Sequence, residues 1–304
     1  MKKQVLALAI TAATSMSAFA EADVYGSLRI KLTTGDSTTD ISNDVSRIGL
    51  KGSVDTDLDG VTALYRFEAG VGSDAAKGAN QNEAGLSSRL AYVGLTSEDM
   101  GTVMAGQIWT NYYSMVTGAT DVTTNTSGWQ SPFFRADSAF AYVSPEMGGL
   151  TVAAAVTSDA DQTTDGEGEA ERYMLTGSYA AGPLTVALGL TEQAAETAED
   201  YIGLSVAYSA DALYLAALVQ QVETDVDGAE SSTPFELAAT YALSDADSIA
   251  AAYHDDDDDM TTGYTVEYSH AMGDATTVYA TIATEMVDGG DDTTDFGLGL
   301  KVGF

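Results

Sequence analysis

Residue type alternates along most of this chain with a period of two, apolar then polar, in short segments broken by turn residues. That period belongs to strands with one dry face and one wet face, and almost no stretch shows helical spacing. Sixteen segments can be marked, at roughly 23–32, 45–54, 60–70, 87–96, 101–108, 136–144, 149–157, 171–180, 183–191, 200–209, 212–221, 234–243, 247–254, 262–270, 275–284 and 294–304. Each is close to the ~9–11 residues that a tilted strand needs to cross a bilayer. Pro132, Pro145, Pro183 and Pro234 fall in connections or at strand starts, where a missing N–H does least harm.

The connections alternate in length. Thr96–Gly101, Ser144–Gly149, Ala180–Pro183 and Ser209–Ala212 are short, whereas 71–86, 109–135, 158–170, 222–233 and 285–293 are long. Short turns at one end and long loops at the other are how transmembrane barrels are built, and an even strand number returns both termini to one side. The expected fold is therefore all-β, a 16-stranded antiparallel transmembrane β-barrel forming a single domain over residues 21–304.

Strand phase gives the direction of each face. In 294–304, Phe296, Leu298, Leu300, Val302 and Phe304 oppose Asp295, Gly297, Gly299, Lys301 and Gly303. Ile48 and Leu50 oppose Arg47 and Lys51; Val61, Tyr65 and Phe67 oppose Arg66 and Glu68; Phe235, Leu237 and Tyr241 oppose Glu236. After residue 20 the basic residues are Arg29, Lys31, Arg47, Lys51, Arg66, Lys77, Arg89, Arg135, Arg172 and Lys301, and all but Lys77 sit on the polar phase of a strand or its edge. A Lys or Arg facing lipid at mid-membrane costs about 2–4 kcal/mol. A lumen of sixteen strands is too wide for side chains to fill. The polar phase, with its cations, therefore faces a water-filled interior.

Lys2 and Lys3, the apolar run from Val5 and the small-x-small triplet Ala18-Phe19-Ala20 fit an export signal cleaved before Glu21. The chain has no cysteine, so disulfides do not hold it. A formal net charge of −34 speaks against nucleic acid as a partner, because binding phosphate requires basic surface.

More than half of the 46 acidic residues fall in the connections at the long-loop end, the shorter ones there included, among them Asp159, Asp161, Asp165, Glu167 and Glu169, then Glu223, Asp225, Asp227 and Glu230, and the run Asp255–Asp259. These runs lack the spacing of an EF-hand and the nine-residue repeat of a calcium-binding β-helix. Solvated acidic loops are the expected reading, with divalent-cation binding as its alternative and no resident metal or cofactor. They give the mouth a negative potential that concentrates cations. The loop between Trp109 and Phe134 differs: Asp121 is its one charged residue, beside Trp109, Tyr112, Tyr113, Met115, Trp129, Phe133 and Phe134. Long aromatic loops are functional rather than disordered. The expectation is that this loop folds into the lumen and narrows it; the alternative has it covering the mouth or touching a neighbouring subunit.

In order along the chain, Val24-Tyr25-Gly26-Ser27-Leu28, Ser46-Arg47-Ile48-Gly49-Leu50-Lys51-Gly52, Tyr65-Arg66-Phe67-Glu68, Ser88-Arg89-Leu90-Ala91-Tyr92-Val93-Gly94-Leu95 and Tyr142-Val143-Ser144-Pro145 with Gly148-Gly149-Leu150 resemble the general trimeric porins of Gram-negative outer membranes. The resemblance covers essentially the whole of 21–304. It implies a homotrimer in the outer membrane, surrounded by lipid and lipopolysaccharide, that passes small hydrophilic solutes and ions. It also implies a third loop folded inward, opposite a ladder of wall arginines. By matching position these are Arg29, Arg47, Arg66 and Arg89. Asp121 becomes the facing acid, with Glu68 or Asp137 as alternatives, since the Pro-Glu-Phe-Gly-Gly type motif common in that loop is absent. Phe304 resembles the terminal aromatic read by the barrel assembly machinery.

Catalysis has little support. The only histidines are His254, beside the Asp run in a loop, and His270, which is flanked by Ser269 and reads as a turn residue rather than a catalytic base. The stronger rival to a channel is an exported adhesin or structural barrel whose acidic loops bind a partner. Tyr142, Tyr179, Tyr208, Tyr241 and Tyr268 fall near strand ends on the apolar phase, which suits an interfacial girdle rather than a sugar-stacking path. Together these features predict passive diffusion with a modest preference for cations.

Overall fold

A computed structural model describes residues 21–35, 39–72, 85–124, 131–158, 170–193, 199–224, 231–257 and 261–304. The expected leader, Lys77, Trp129 and the acidic stretches 159–169 and 225–230 lie outside these residues. Seventeen strand segments follow one another: β1 (Glu21–Thr34), β2 (Thr39–Asn43), β3 (Arg47–Asp55), β4 (Thr62–Val71), β5 (Leu86–Ser97), β6 (Gly101–Trp109), β7 (Arg135–Val143), β8 (Leu150–Ser158) and β9 (Ala170–Ala181). The circuit continues with β10 (Leu184–Gln193), β11 (Glu199–Ala210), β12 (Leu213–Thr224), β13 (Phe235–Ala242), β14 (Asp247–Asp255), β15 (Thr261–Ala271), β16 (Thr276–Val287) and β17 (Thr293–Gly303). A helix, α1 (Asn111–Met115), and a 3-10 turn at Thr117–Ala119 lie between β6 and β7.

Consecutive strands pair antiparallel, and β1 pairs with β17, so the sheet closes on itself. Both β2 and β3 pair with β1 and are halves of one stave, which leaves sixteen staves in the barrel. Between the pairs Ser27↔Arg47 and Ile30↔Asn43 the second stave carries one residue more than β1. The extra residue makes a bulge in which Val45 takes φ 56° and points outward, while Asp44 and Ser46 are buried. The expected second strand, 45–54, missed β2 because this bulge breaks its alternation. The other strand expectations match the observed staves to within a few residues. At the seam, the Gly26 amide donates to the Phe304 carbonyl at 2.9 Å and the Phe304 amide donates back at 3.1 Å.

The apolar phase faces outward. Leu188, Leu204, Val206, Leu215, Phe296, Leu298 and Leu300 are all exposed, as a lipid-facing band requires. Tyr142, Tyr179, Tyr208, Tyr241 and Tyr268 also point outward, at the strand ends beside the short turns. Tyr173, Tyr264 and Phe296 mark the opposite rim. Loop length sorts less strictly than the sequence suggests. The connections after β10, β14 and β16 have five residues each, within the range of the turns at the other end, and the contrast rests on 72–85, 110–134, 159–169 and 225–234. Among the described residues no helix is long and apolar enough to cross a membrane; the strands cross instead.

Buried apolar side chains gather inside the barrel, between one half of the wall and the segment after β6. One cluster holds Ile108, Tyr112, Ala139, Ala141, Ala155, Met174, Tyr201 and Val222; a second holds Val116, Ala187 and Leu218. Among the described residues both apolar clusters lie on one side of the interior.

Candidate functional site

The packed side is made by the third loop, 110–134. Thr110 caps α1, its hydroxyl accepting from the Tyr113 amide at 3.0 Å, and this turns the chain inward where β6 ends. Tyr112 is fully buried against the wall, and its hydroxyl donates to Gln220 Oε1 on β12 at 2.7 Å. The seat exists because two glycines face inward there. A Cβ on Gly189 of β10 would lie 2.7 Å from the Tyr112 ring, and one on Gly203 of β11 would lie 2.2 Å from its hydroxyl. Around them the inward positions of β7 to β12 carry alanines, Ala139, Ala141, Ala153, Ala155, Ala187 and Ala216, that leave room for the loop.

Further along, Tyr214 of β12 donates to the Ala119 carbonyl at 2.7 Å. The Thr120 hydroxyl donates to Glu236 on β13. Thr124 donates through its amide and its hydroxyl to Glu267 on β15, at 2.8 and 2.9 Å. The loop is therefore fastened along the wall from β8 to β15. In a closed ring this leaves β17, β1 and β3 to β5 uncovered, on the other side of the lumen.

Those uncovered staves bear the cations. Tyr25, Gly49 and Glu68 are lateral neighbours on β1, β3 and β4. The Tyr25 ring crosses over Gly49, where a Cβ would stand 2.4 Å from it, and its hydroxyl donates to Glu68 Oε2 at 2.8 Å. Glu68 is 1% exposed and accepts from Arg89 Nε at 2.7 Å and from Arg66 Nη2 at 3.2 Å, with Arg47 Nη1 at 4.0 Å. Arg66 Nε donates to the Tyr25 hydroxyl at 2.7 Å, and the guanidinium lies 5.2 Å from that ring's centroid. Arg29, Arg47 and Lys301 lie within electrostatic range of one another. One carboxylate thus holds several cations together, and the wall stays net positive.

Arg29, Arg47, Arg66 and Arg89 all stand on this wall. Glu68 lies among them rather than across from them. Asp121 lies in the loop and accepts from the Tyr113 hydroxyl at 2.6 Å. Burial, with the neighbouring Asp121 carboxylate second, raises the Tyr113 phenol above its ordinary pKa, so it stays protonated as a donor. Asp137 stands apart from both groups, exposed on β7 at a bulge. Phe304 closes the seam, its ring against Gly26.

Sequence reasoning left three features unassigned. Arg135 stacks over Trp109, 5.0 Å from its centroid, and extends the basic wall toward the loop base. Glu236 and Glu267 are the loop's far anchors. Their signal was legible in principle, as inward-phase carboxylates on strands without a cation opposite them. The run of inward alanines and glycines from β7 to β12 was the other available sign, because a bare water-filled wall has no need of them.

A family model described as Gram-negative porin matches residues 7–290. Among solved structures the chain is similar to an anion-selective porin from Comamonas acidovorans, with TM-score 0.78 and 19% identity over 94% of this chain and 100% of that one. It is similar to Salmonella typhi OmpF in complex with daunomycin, with TM-score 0.79 and 18% identity over 93% and 97%. It also resembles Vibrio cholerae OmpT lacking loop L8, with TM-score 0.73 and 17% identity over 94% and 99%. At these identities the likeness concerns the fold. No curated protein matches the chain by sequence.

Proposed function

Because the chain belongs to the Gram-negative porin family, an outer-membrane channel family without enzymatic activity, we propose that it is a passive diffusion channel for small hydrophilic solutes and ions, mildly selective for cations. The observation that carries this reading is the third loop fastened from β8 to β15, opposite a net-positive wall on β1 and β3 to β5. A loop held inside a closed barrel narrows the passage without filling it. Opposed charges across that passage order water and disfavour bulky apolar solutes.

Selectivity follows from where charge is concentrated. The wall cations are few and partly neutralised by Glu68, while Asp and Glu number 46 against 12 Lys and Arg. The acidic loops raise cation concentration at the mouth before any ion meets the arginines. The anion preference in the name of the Comamonas porin belongs to that protein.

Four further assignments accompany this reading. The channel is a homotrimer embedded in outer-membrane lipid and lipopolysaccharide. Residues 1–20 are a cleaved export signal. Phe304 serves first as the residue read by the barrel assembly machinery and then as the seam of the finished barrel. Arg29, Arg47, Arg66 and Arg89 form the basic side of the constriction, Asp121 the acidic side.

The test is liposome swelling with sugars of increasing size. Entry of small sugars and exclusion of larger ones supports a diffusion channel. Equal exclusion of all of them from vesicles holding folded protein contradicts it.

A further inference from the structure

Beside the base of the third loop, where Arg135 ends the basic wall, lies a cavity of about 290 Å³ bordered by Phe133, Arg135, Asp137, Ser138, Arg172 and Gln193, among others. A regular strand sends successive residues to opposite faces. β7 departs from that rule. Between the pairs Gly106↔Ala139 and Ile108↔Ala136 it holds one residue more than β6, and Ser138 takes φ 45°, a conformation that costs energy for any residue but glycine. As a result the consecutive residues Arg135, Ala136, Asp137 and Ser138 all border the same cavity. Bulges that re-aim side chains in this way are common beside functional sites.

The charged groups brought there are of both signs. Among the described residues neither Arg135 nor Asp137 has a hydrogen-bond or ion-pair partner, although they are two positions apart. Arg135 is held in place by the ring of Trp109. Arg172 is held by the Phe133 ring, 3.9 Å from its centroid, and donates to Gln193. Two guanidinium groups and one carboxylate thus border a volume near the lower end of small-molecule pockets.

We propose that this cavity is a binding subsite for small zwitterions of the α-amino acid class. The solute's carboxylate is taken by Arg135 and Arg172, guanidinium groups being suited to two-point carboxylate recognition. Its ammonium is taken by Asp137, and its side chain lies toward Phe133 and Met174. A simple anion meets repulsion from Asp137, and a simple amine meets two guanidinium groups, so neither half alone is bound well. The subsite rests on the channel reading only for the solute's route; binding itself does not require flow.

The experiment is calorimetric titration of the detergent-folded full chain with L-glutamine, with propionate and propylammonium as single-charge probes, beside a separate bilayer measurement of conductance. The expected result is saturable binding of L-glutamine, with each single-charge probe weaker by at least about ten-fold, and a loss of about ten-fold in Arg172→Gln and in Asp137→Asn. Folding of each variant is checked by the heat-dependent shift in gel mobility. Propionate binding as tightly as L-glutamine, or unchanged affinity in both folded variants, overturns the inference. So does the absence of L-glutamine binding to folded protein. Conductance without binding leaves the channel intact and removes the subsite; binding without conductance does the reverse.

Discussion

The Tyr112 hydroxyl donates to Oε1 of Gln220 at 2.7 Å, tying the third loop to a strand 108 residues further along the chain. The bond is possible because Gly189 and Gly203 open the wall beneath the ring. Geometry at two glycines thereby sets how far the loop projects into the lumen.

Gly189→Leu places a side chain where the Tyr112 ring sits. Overpacking of this kind costs about 1–3 kcal/mol, and the loop relieves it by moving toward the arginine wall. Single-channel conductance is expected to fall. An unchanged conductance from folded barrels would mean that the loop does not set the passage.

Glu68→Gln removes the one carboxylate that holds Arg66, Arg89 and Arg47 together. The loss of charge-assisted bonds destabilises the barrel by about 2 kcal/mol, toward the lower end of such effects because Arg47 and Arg66 face water. The unmasked arginines shift the reversal potential in a salt gradient toward anions. A shift toward cations would contradict the placement of Glu68 within the basic wall.

Glu267→Ala removes the acceptor of both Thr124 bonds, which among the described residues fasten the far part of the loop to β15. Loss of these two bonds is worth about 1.5–3 kcal/mol each at a charged partner. The far half of the loop is expected to move, seen as greater open-channel current noise with the barrel still folded.

Much of this architecture was legible in the residues, and the reasons differ from part to part. Sixteen alternating segments between turn residues set the strand number, and alternation in β17 with the polar-phase cations of β1 to β5 set the outward face, because lipid punishes a charge on the wrong side. The second stave was cut short because the bulge at Val45 interrupts the period on which the reading depended. The inward loop was expected from its length, its low charge, its aromatic content and the porin resemblance, but its seat was not, since alanine and glycine on a strand look featureless until a tyrosine is placed over them. Glu68 resisted assignment for a similar reason. Its phase shows only that it points inward; its position among the arginines depends on lateral register from Tyr25 through Gly49.

The outward phase admits a direct check. Leu188 is 49% exposed on the lipid side of β10, whereas Thr33 shares the inward phase of Lys31. Leu188→Arg is expected to lower barrel stability by about 2–4 kcal/mol in vesicles, and Thr33→Arg to change it by less than about 1 kcal/mol. Urea unfolding in lipid bilayers measures both.

The central claim is an open passage gated in size by an inward loop and biased by acidic mouths. Single-channel current and reversal potential of the purified protein, in a planar bilayer under a salt gradient, test it most directly. The account predicts stepwise openings in threes and a cation-signed potential that weakens as salt rises and the Debye length falls below about 10 Å. Folded protein that carries no current would contradict the channel, and an anion-signed potential would hand control of selectivity to the arginine wall.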